Sequence, residues 1–246
     1  MKMRSRQPRR RTSLRTCAAL CGVLVVWPAG PVAAQFEGEV EFWNKTTTDE
    51  SGSAFEYLTS MSIKNGLLRV HTTSSGSTPA STMIYRTDRG VFWILNEEER
   101  SYIEVRTMGG HGGELPDSLP SPEEIQFRPT GKTRSILGYR TEQYVAEDGE
   151  RRIEIWGTTG LQSLASALKQ VFESAQDDDA GTWNDQLAAR GIFPMVSRIL
   201  LQGQVVESSE VRRIVRKPVA DTLFELPAGY RKVSVDALFE ESSPPR

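Results

Sequence analysis

Residues 54–74 read AFEYLTSMSIKNGLLRVHTTS, and this stretch decides what kind of fold the chain can adopt. Its Asn65-Gly66 dipeptide favours a two-residue β-hairpin turn, because both central positions of that turn require positive φ. A turn there pairs Ile63 with Leu68, Met61 with Val70, and Thr59 with Thr72. All six side chains then lie on one side of the hairpin, which predicts an antiparallel sheet with one buried face.

The same strand-turn-strand pattern recurs on both sides of this hairpin. In the stretch FEGEVEFW, residues 36–43, the side chains of Phe36, Val40 and Phe42 alternate with three glutamates. This period of two is typical of a strand with one wet face. Further turns are predicted at Asp88 to Gly90, at Asp148-Gly149 and near Gly203.

Two of these predicted hairpins carry more specific expectations. The strand from Val91 to Leu95 is apolar at every position, so we expect another segment to cover its outer side. A turn at Asp148-Gly149 pairs Tyr144 with Ile153 in the later hairpin. The apolar strand thus predicts a sheet that is covered on both faces at Val91 to Leu95, and the turn predicts the register of the later hairpin.

Helical patterns occur only late in the chain. In LQSLASALKQVFESAQ, residues 161–176, an apolar stripe recurs at helical spacing and consists of Leu161, Leu164, Leu168, Val171 and Phe172. A second short helix follows and ends at Gly191. The predicted fold is mainly β (α+β), a curled antiparallel sheet or half-barrel of about ten strands with two late helices packed on its concave face.

The first 34 residues have the pattern of a secretory signal. A basic start is followed by the apolar run CAALCGVLVVW, residues 17–27, and by small residues that predict cleavage between Ala34 and Gln35. The apolar run is about half of the ~20 residues that a membrane-spanning helix needs, so we expect no integral membrane anchor. We predict a signal at 1–34, one β-rich half-barrel domain at 35–235 and a polar tail at 236–246, in a periplasmic or secreted protein.

Cleavage would change the charge and the cysteine content of the chain. Seven of the 30 basic residues and both cysteines lie in residues 1–34, whereas all 32 acidic residues lie beyond them, so residues 35–246 carry a formal charge of −9. Nucleic acid is therefore not an expected partner, because its phosphates require clustered positive charge. Disulfides, thiolate nucleophiles and cysteine metal sites are not expected either.

The triplet Gly131-Lys132-Thr133 matches the end of a phosphate-binding loop. The first glycine of that loop would have to stand at position 126, which is Gln126. A helix would also have to follow, whereas the next residues show the strand-turn-strand pattern. The sequence predicts that the triplet lies in a strand and that the protein binds no nucleotide.

Candidates for chemistry are few. We interpret His71 as a solvated residue on the polar face of the hairpin, and His111 lies in a glycine-rich segment. The run Asp177 to Asp179 lacks the spacing of a calcium loop, so we expect neither a metal nor another cofactor. The tryptophans Trp43, Trp93, Trp156 and Trp183 are candidates for a binding groove or for the core.

The order of these features resembles domain-of-unknown-function family 4412, whose exported bacterial members are distantly similar to periplasmic lipoprotein carriers of the LolA/LolB-like fold. The matching stretches are Thr130-Gly131 to Ile136, Gly138-Tyr139, Tyr144, Glu154 to Trp156, and FELPAGY from Phe224 to Tyr230. The resemblance implies an exported protein with a half-barrel closed by helices. It implies no activity, and binding of an apolar ligand is an analogy with the carriers.

We expect a non-catalytic protein that binds an apolar ligand, an acyl chain or a lipoprotein, between sheet and helices. The predicted cavity residues are Val91, Trp93, Leu95, Leu161, Leu164, Leu168 and Phe172. Two alternatives stay open: a structural or interaction protein of the cell envelope with a filled core, and a hydrolase whose carboxylates the sequence does not single out. A dry apolar pocket of several hundred Å³ would favour the carrier. The sequence leaves the oligomeric state open.

Overall fold

Strands dominate the part of the chain that the computed structural model describes, which is residues 35–47, 54–74, 80–107, 126–175 and 183–234. The strands are β1 (Gly38–Thr47), β2 (Ala54–Lys64), β3 (Leu67–Ser74), β4 (Ser81–Arg86), β5 (Val91–Asn96), β6 (Ser101–Arg106), β7 (Arg128–Ile136), β8 (Tyr139–Asp148), β9 (Arg151–Thr158), β10 (Phe193–Leu201), β11 (Gln204–Arg216) and β12 (Arg231–Val233). The helices are α1 (Gln162–Ala175) and α2 (Trp183–Ala189). The predicted signal, His111, Asp177 to Asp179 and the predicted tail lie outside the described residues.

All of these strands form one curled, open sheet in the order β12-β6-β5-β4-β3-β2-β1-β11-β10-β9-β8-β7. Neighbouring strands are antiparallel except for β12, which pairs with β6 in parallel. The described residues thus contain twelve strands instead of the predicted ten or so. The two edge strands carry weak sequence signals, because β12 has three residues and β7 is exposed at eight of its nine positions.

The predicted hairpin registers are partly confirmed. Around Asn65-Gly66 the structure pairs Ile63 with Leu68, Met61 with Val70, and Thr59 with Thr72, as predicted. The later hairpin register was wrong by two residues, since Tyr144 pairs with Ile155 and not with Ile153. The turn there consists of Gly149 and Glu150, with the positive φ of +57° at Gly149. A shift of two residues keeps each side chain on its predicted face.

Helix α1 covers one face of the sheet, called the inner face below. The side chains of Leu161, Leu164 and Val171 are completely buried against inner-face residues such as Val40 and Leu68. The predicted stripe therefore faces the sheet, and the alternation predicted for β1 is confirmed by the complete burial of Val40.

The opposite, outer face is covered over β3 to β6 by a C-terminal segment, residues 217–230. Val219 and Phe224 of this segment pack against Ile84, Trp93 and Leu95. The expectation that something covers the outer side of β5 is thus confirmed. The covering piece is the FELPAGY stretch that carries part of the family resemblance.

A buried arginine holds this C-terminal segment in place. The Arg86 side chain donates two hydrogen bonds to the Asp88 carboxylate, at 2.8 and 2.7 Å, and a third to the Phe224 carbonyl at 3.1 Å. It also forms an ion pair with Glu225. The bonds to Asp88 raise the pKa of Arg86 and lower the pKa of Asp88. Charge-assisted, bidentate contacts of this kind are stronger than neutral hydrogen bonds.

Candidate functional site

The seven predicted cavity residues lie in two separate clusters. Val91, Trp93 and Leu95 belong to the outer-face cluster beneath the C-terminal segment. Four lie on the inner face: Leu161 and Leu164 in the core, and Leu168 and Phe172 at its edge. The sheet separates the two groups, so the seven side chains do not surround one space. Because β5 is apolar at every position from Val91 to Leu95, its sequence does not show which side faces α1.

A partly buried apolar surface lies on the inner face at the edge of the core. We call it the Met–Phe surface, and its members are Phe42, Met61, Met83, Phe92, Leu168 and Phe172. Met61 and Met83 flank Val70 at one level across β2, β3 and β4. Tyr85 joins the aromatic members, stacking on Phe92 at 5.4 Å and meeting Phe172 edge-on at 5.9 Å.

Polar side chains border this surface further along the same strands. The Asn44 amide donates to the Thr59 hydroxyl at 3.2 Å, and the hydroxyls of Thr59 and Thr72 lie 3.4 Å apart. Thr59 precedes Met61 by two residues and therefore shares its face. The inner face thus passes from a closed core under α1, through the Met–Phe surface, to a hydrogen-bonded polar row.

A cleft of about 530 Å³ opens at the other end of the sheet, over β7 to β9. Its lining consists of Gly131, Thr133, Gly138, Tyr139, Arg140, Thr141, Glu142, Tyr144, Gly157, Thr158, Thr159 and Gly160. The Tyr144 hydroxyl donates to the Glu142 carboxylate at 3.0 Å. Burial, together with this bond, raises the pKa of Tyr144. The lining is mostly polar, so the cleft differs from the dry apolar pocket that a carrier is expected to have.

The triplet Gly131-Lys132-Thr133 lies in strand β7 and lines part of this cleft. A β-bulge interrupts the pairing of β7 with β8 between Pro129 and Thr133. The strand context predicted for the triplet is confirmed, since the next element is strand β8 and not a helix.

His71 lies in a group that superficially resembles a hydrolytic triad. Its Nδ1 is 2.8 Å from the Thr82 hydroxyl, and Glu97 lies 3.7 Å from the same nitrogen. Thr82 is completely buried, and its hydroxyl donates to Glu97 at 2.8 Å. A nucleophile needs access to substrate and a base that accepts its proton. This threonine has no access, so the group is better explained as a hydrogen-bond network that ties β3 to the β5–β6 turn.

The described ranges contain neither a metal centre nor a helix that could span a membrane. No group of three or more His, Cys, Asp and Glu side chains in those ranges is placed to hold a metal ion. The helices there are too short or too polar to cross a bilayer.

Three of the four tryptophans predicted for a groove or core have described side chains. Trp93 is 4% exposed and belongs to the outer-face core, whereas Trp43 and Trp156 are half-buried on the outer face beside arginines. The sequence predicted buried faces for Phe42 and Met61 but did not indicate the Met–Phe surface as a whole. The exposure of its side chains depends on where α1 lies, which local patterns do not show.

Solved structures that align with this chain have low identities. An uncharacterized conserved protein of Thermus thermophilus is 11% identical, with 80% of this chain and 91% of that chain covered and a TM-score of 0.47. PNGF-II is 12% identical at a TM-score of 0.37, and the alignment spans 84% of this chain but 33% of that one. A Vibrio parahaemolyticus domain described as an outer membrane lipoprotein-sorting protein is 6% identical, with coverages of 78% and 91% and a TM-score of 0.31.

Sequence comparison assigns the family. No curated protein is significantly similar to the chain. A family profile described as "Domain of unknown function (DUF4412)" matches residues 36–230. This match spans every described strand except the last, and it includes both α1 and the FELPAGY stretch over the outer face. The chain belongs to domain-of-unknown-function family 4412.

Proposed function

We propose that this protein is an exported, non-catalytic binding protein that holds an apolar chain on the Met–Phe surface. The observation that supports the proposal is the set of six large apolar side chains that stay partly exposed beside the inner core. None of the six carries a charge. Methionine side chains are flexible and polarizable, so Met61 and Met83 can adapt to an acyl chain of variable shape.

Burial of an acyl chain against this surface can supply useful affinity. Each buried methylene contributes about 0.8 kcal/mol, so a chain of about ten methylenes contributes roughly 8 kcal/mol before ordering costs. Without those costs the dissociation constant would be about 1 μM, and ordering the chain raises it. The polar row of Asn44, Thr59 and Thr72 would lie near one end of such a chain and offers hydrogen bonds to a headgroup.

The second candidate is a structural protein of the cell envelope. One specific observation favours it: Leu164 and Val171 of α1, and Leu161 directly before it, are completely buried, so the space directly under the helix is filled. The two candidates differ over the Met–Phe surface. A binding protein uses this surface for a ligand, whereas a structural protein leaves it idle or covers it with another protein.

Titration with a fluorescent fatty acid distinguishes the two candidates. We expect micromolar binding to the wild-type protein, and Met61→Gln with Met83→Gln should weaken it roughly tenfold or more, since two apolar contacts become polar. Leu58→Gln is the matched control, because Leu58 lies on the same strand β2 but is 40% exposed on the outer face. Lipids co-purifying with the native protein should be identified by mass spectrometry.

Absence of probe binding to the folded wild type, with no lipid in the native preparation, would exclude the carrier and favour the structural role. Equal binding by the wild type and the double variant would place the ligand elsewhere, for instance in the polar cleft over β7 to β9.

Export is part of the proposal. We propose that a signal at residues 1–34 is removed between Ala34 and Gln35, that the periplasmic or secreted protein is one domain of residues 35–235 with a short tail, and that its ligand is a lipid or a lipoprotein. Mass analysis of the exported protein tests this cleavage, and a retained Met1 would contradict it.

A further inference from the structure

A row of side chains crosses the outer face of the sheet at one level. Cross-strand pairs connect Trp156 to Val196, Val196 to Glu210, Glu210 to Trp43, and Trp43 to Leu58. Neighbouring strands lie about 4.8 Å apart, so these four steps span roughly 19 Å. The C-terminal segment packs on the outer face of β3 to β6. None of the side chains in this row belongs to the apolar cluster beneath that segment.

Arginines lie on the two tryptophans of this row. The Arg134 guanidinium is 4.1 Å from the centre of the Trp156 ring, and the Arg212 guanidinium is 5.2 Å from that of Trp43. Cation–π contacts of this kind hold a guanidinium in place while its N–H groups stay available to another partner. We call the row together with Arg134, Arg198 and Arg212 the Trp–Arg row.

The carboxylates around the Trp–Arg row are already paired. These pairs are Glu39 with Lys217, Glu41 with Arg213, Glu56 with Lys45, Glu154 with Arg152, and Glu210 with Arg212. Burial, and then the charge of nearby Arg198, lower the pKa of Arg134, and the negative charge of Glu210 partly offsets this. Within the described residues neither Arg134 nor Arg198 forms an ion pair.

We propose that the Trp–Arg row docks on the surface of an anionic phospholipid membrane. Arg134 and Arg198 supply charge for lipid phosphates, since guanidinium groups bind phosphate oxygens in a bidentate manner. Trp43, Trp156 and the 40% exposed Leu58 supply the amphipathic and apolar side chains that lie at membrane interfaces. Chain segments with this combination bind anionic membranes electrostatically and through shallow insertion. The inference does not depend on the ligand proposed for the inner face.

An acidic protein surface would also attract the two arginines. We favour the membrane because the two tryptophans and Leu58 lie in one line with the charged residues. A planar interface can contact such a line along its whole length. A small soluble anion would need only the arginine pair.

Vesicle flotation of the purified protein tests the proposal. We expect binding to vesicles of phosphatidylglycerol and phosphatidylcholine but not to phosphatidylcholine alone, with loss of binding as salt is added. Arg134→Gln with Arg198→Gln should reduce partitioning roughly thirtyfold, whereas Arg134→Lys with Arg198→Lys should retain most of it. Arg231→Gln on the distant edge strand β12 is the matched control and should bind like the wild type.

Circular dichroism of each variant checks its fold. Leu58→Gln gives a second test at an exposed site, with an expected loss of binding of a few fold.

Failure of the wild type to bind the anionic vesicles overturns the proposal, as does undiminished binding by the folded glutamine double variant. Binding abolished by millimolar inorganic phosphate at constant ionic strength would indicate a soluble anion site instead. Binding to polyglutamate without binding to vesicles would indicate an acidic protein partner. Either of these last two results also overturns it.

Discussion

Gly157 lies where the chain has no room for a side chain. An added Cβ would be 2.3 Å from Cγ2 of Ile192 and 3.5 Å from the Tyr144 ring. The Gly157 backbone does not have the positive φ that favours glycine elsewhere in the chain, so the conflict is steric. We expect Gly157→Ala to lower the free energy of unfolding by about 1–3 kcal/mol, measured by urea denaturation.

A double-mutant cycle tests the cause of that loss. Ile192→Ala removes the clashing methyl group, so the second substitution should cost less in the Gly157→Ala background than in the wild type. Strictly additive effects would show that the Ile192 contact is not responsible.

Asp88 makes the anchor of the C-terminal segment sensitive to acid. The bonds from Arg86 lower the pKa of Asp88 from its usual 3.8, so folding is favoured by the ionised carboxylate. This contribution is complete above the unfolded-state pKa and is lost as pH falls through the lower folded-state pKa. We expect Asp88→Asn to lower stability near pH 7 and to flatten the stability profile below about pH 4.

Thermal melts across this pH range would measure the effect. Glu98→Gln, at an exposed position in the β5–β6 turn, serves as the control and should keep the wild-type profile. A profile of Asp88→Asn that parallels the wild type down to low pH would contradict this account of the anchor.

Helix α1 combines fully buried and half-buried side chains, and the two kinds should respond differently to truncation. Leu164 is completely buried, so we expect Leu164→Ala to lower the free energy of unfolding by about 2–5 kcal/mol. Leu168 packs at the edge of the core on the Met–Phe surface, so Leu168→Ala should cost about 1–2 kcal/mol and should also alter uptake of an apolar probe. Denaturant melts and probe titrations of both variants provide the measurements.

A full core penalty for Leu168→Ala, with no probe binding by either variant or by the wild type, would count against a ligand on this surface. Leu164→Ala acts as the reference for a purely structural residue.

One aromatic side chain, that of Phe224, anchors the C-terminal segment. Phe224 is completely buried against Ile84, Trp93 and Val219. We expect Phe224→Ala to lower the free energy of unfolding by about 3–5 kcal/mol. Leu226→Ala, at a partly buried position of the same segment, should cost clearly less. Similar losses for both variants would show that the segment is not anchored at Phe224.

At the scale of the whole molecule, the open sheet predicts a gradient of stability from its centre to its edges. β1, β2 and β11 each have a strand on both sides, whereas β7 and β12 have one neighbour each. We expect hydrogen exchange to be slowest in the central strands and fastest at the two edges, because edge amides open without disrupting the rest of the sheet. Mass spectrometry of peptic fragments can measure this. Equal protection of β7 and β1 would indicate that another chain covers the β7 edge.

The sequence by itself determined the local elements of this protein. Asn65-Gly66 specified a turn and with it the register of β2 and β3, and the spacing of Leu161, Leu164 and Val171 specified which side of α1 is buried. These features depend on residues that lie a few positions apart, and the backbone geometry of turns, strands and helices relates such residues directly.

Only the tertiary structure decided which distant residues meet. Residues Val91 to Leu95 of β5 are apolar on both sides, so either side could face the inner core, and the choice depends on α1 on one side and on Phe224 on the other. The alignment of Trp43, Glu210 and Trp156 depends on the order in which β1, β11, β10 and β9 pair. The physical reason is that periodicity shows that a side chain is buried, whereas its partner is selected by packing the whole sheet, where many pairings satisfy the same local pattern.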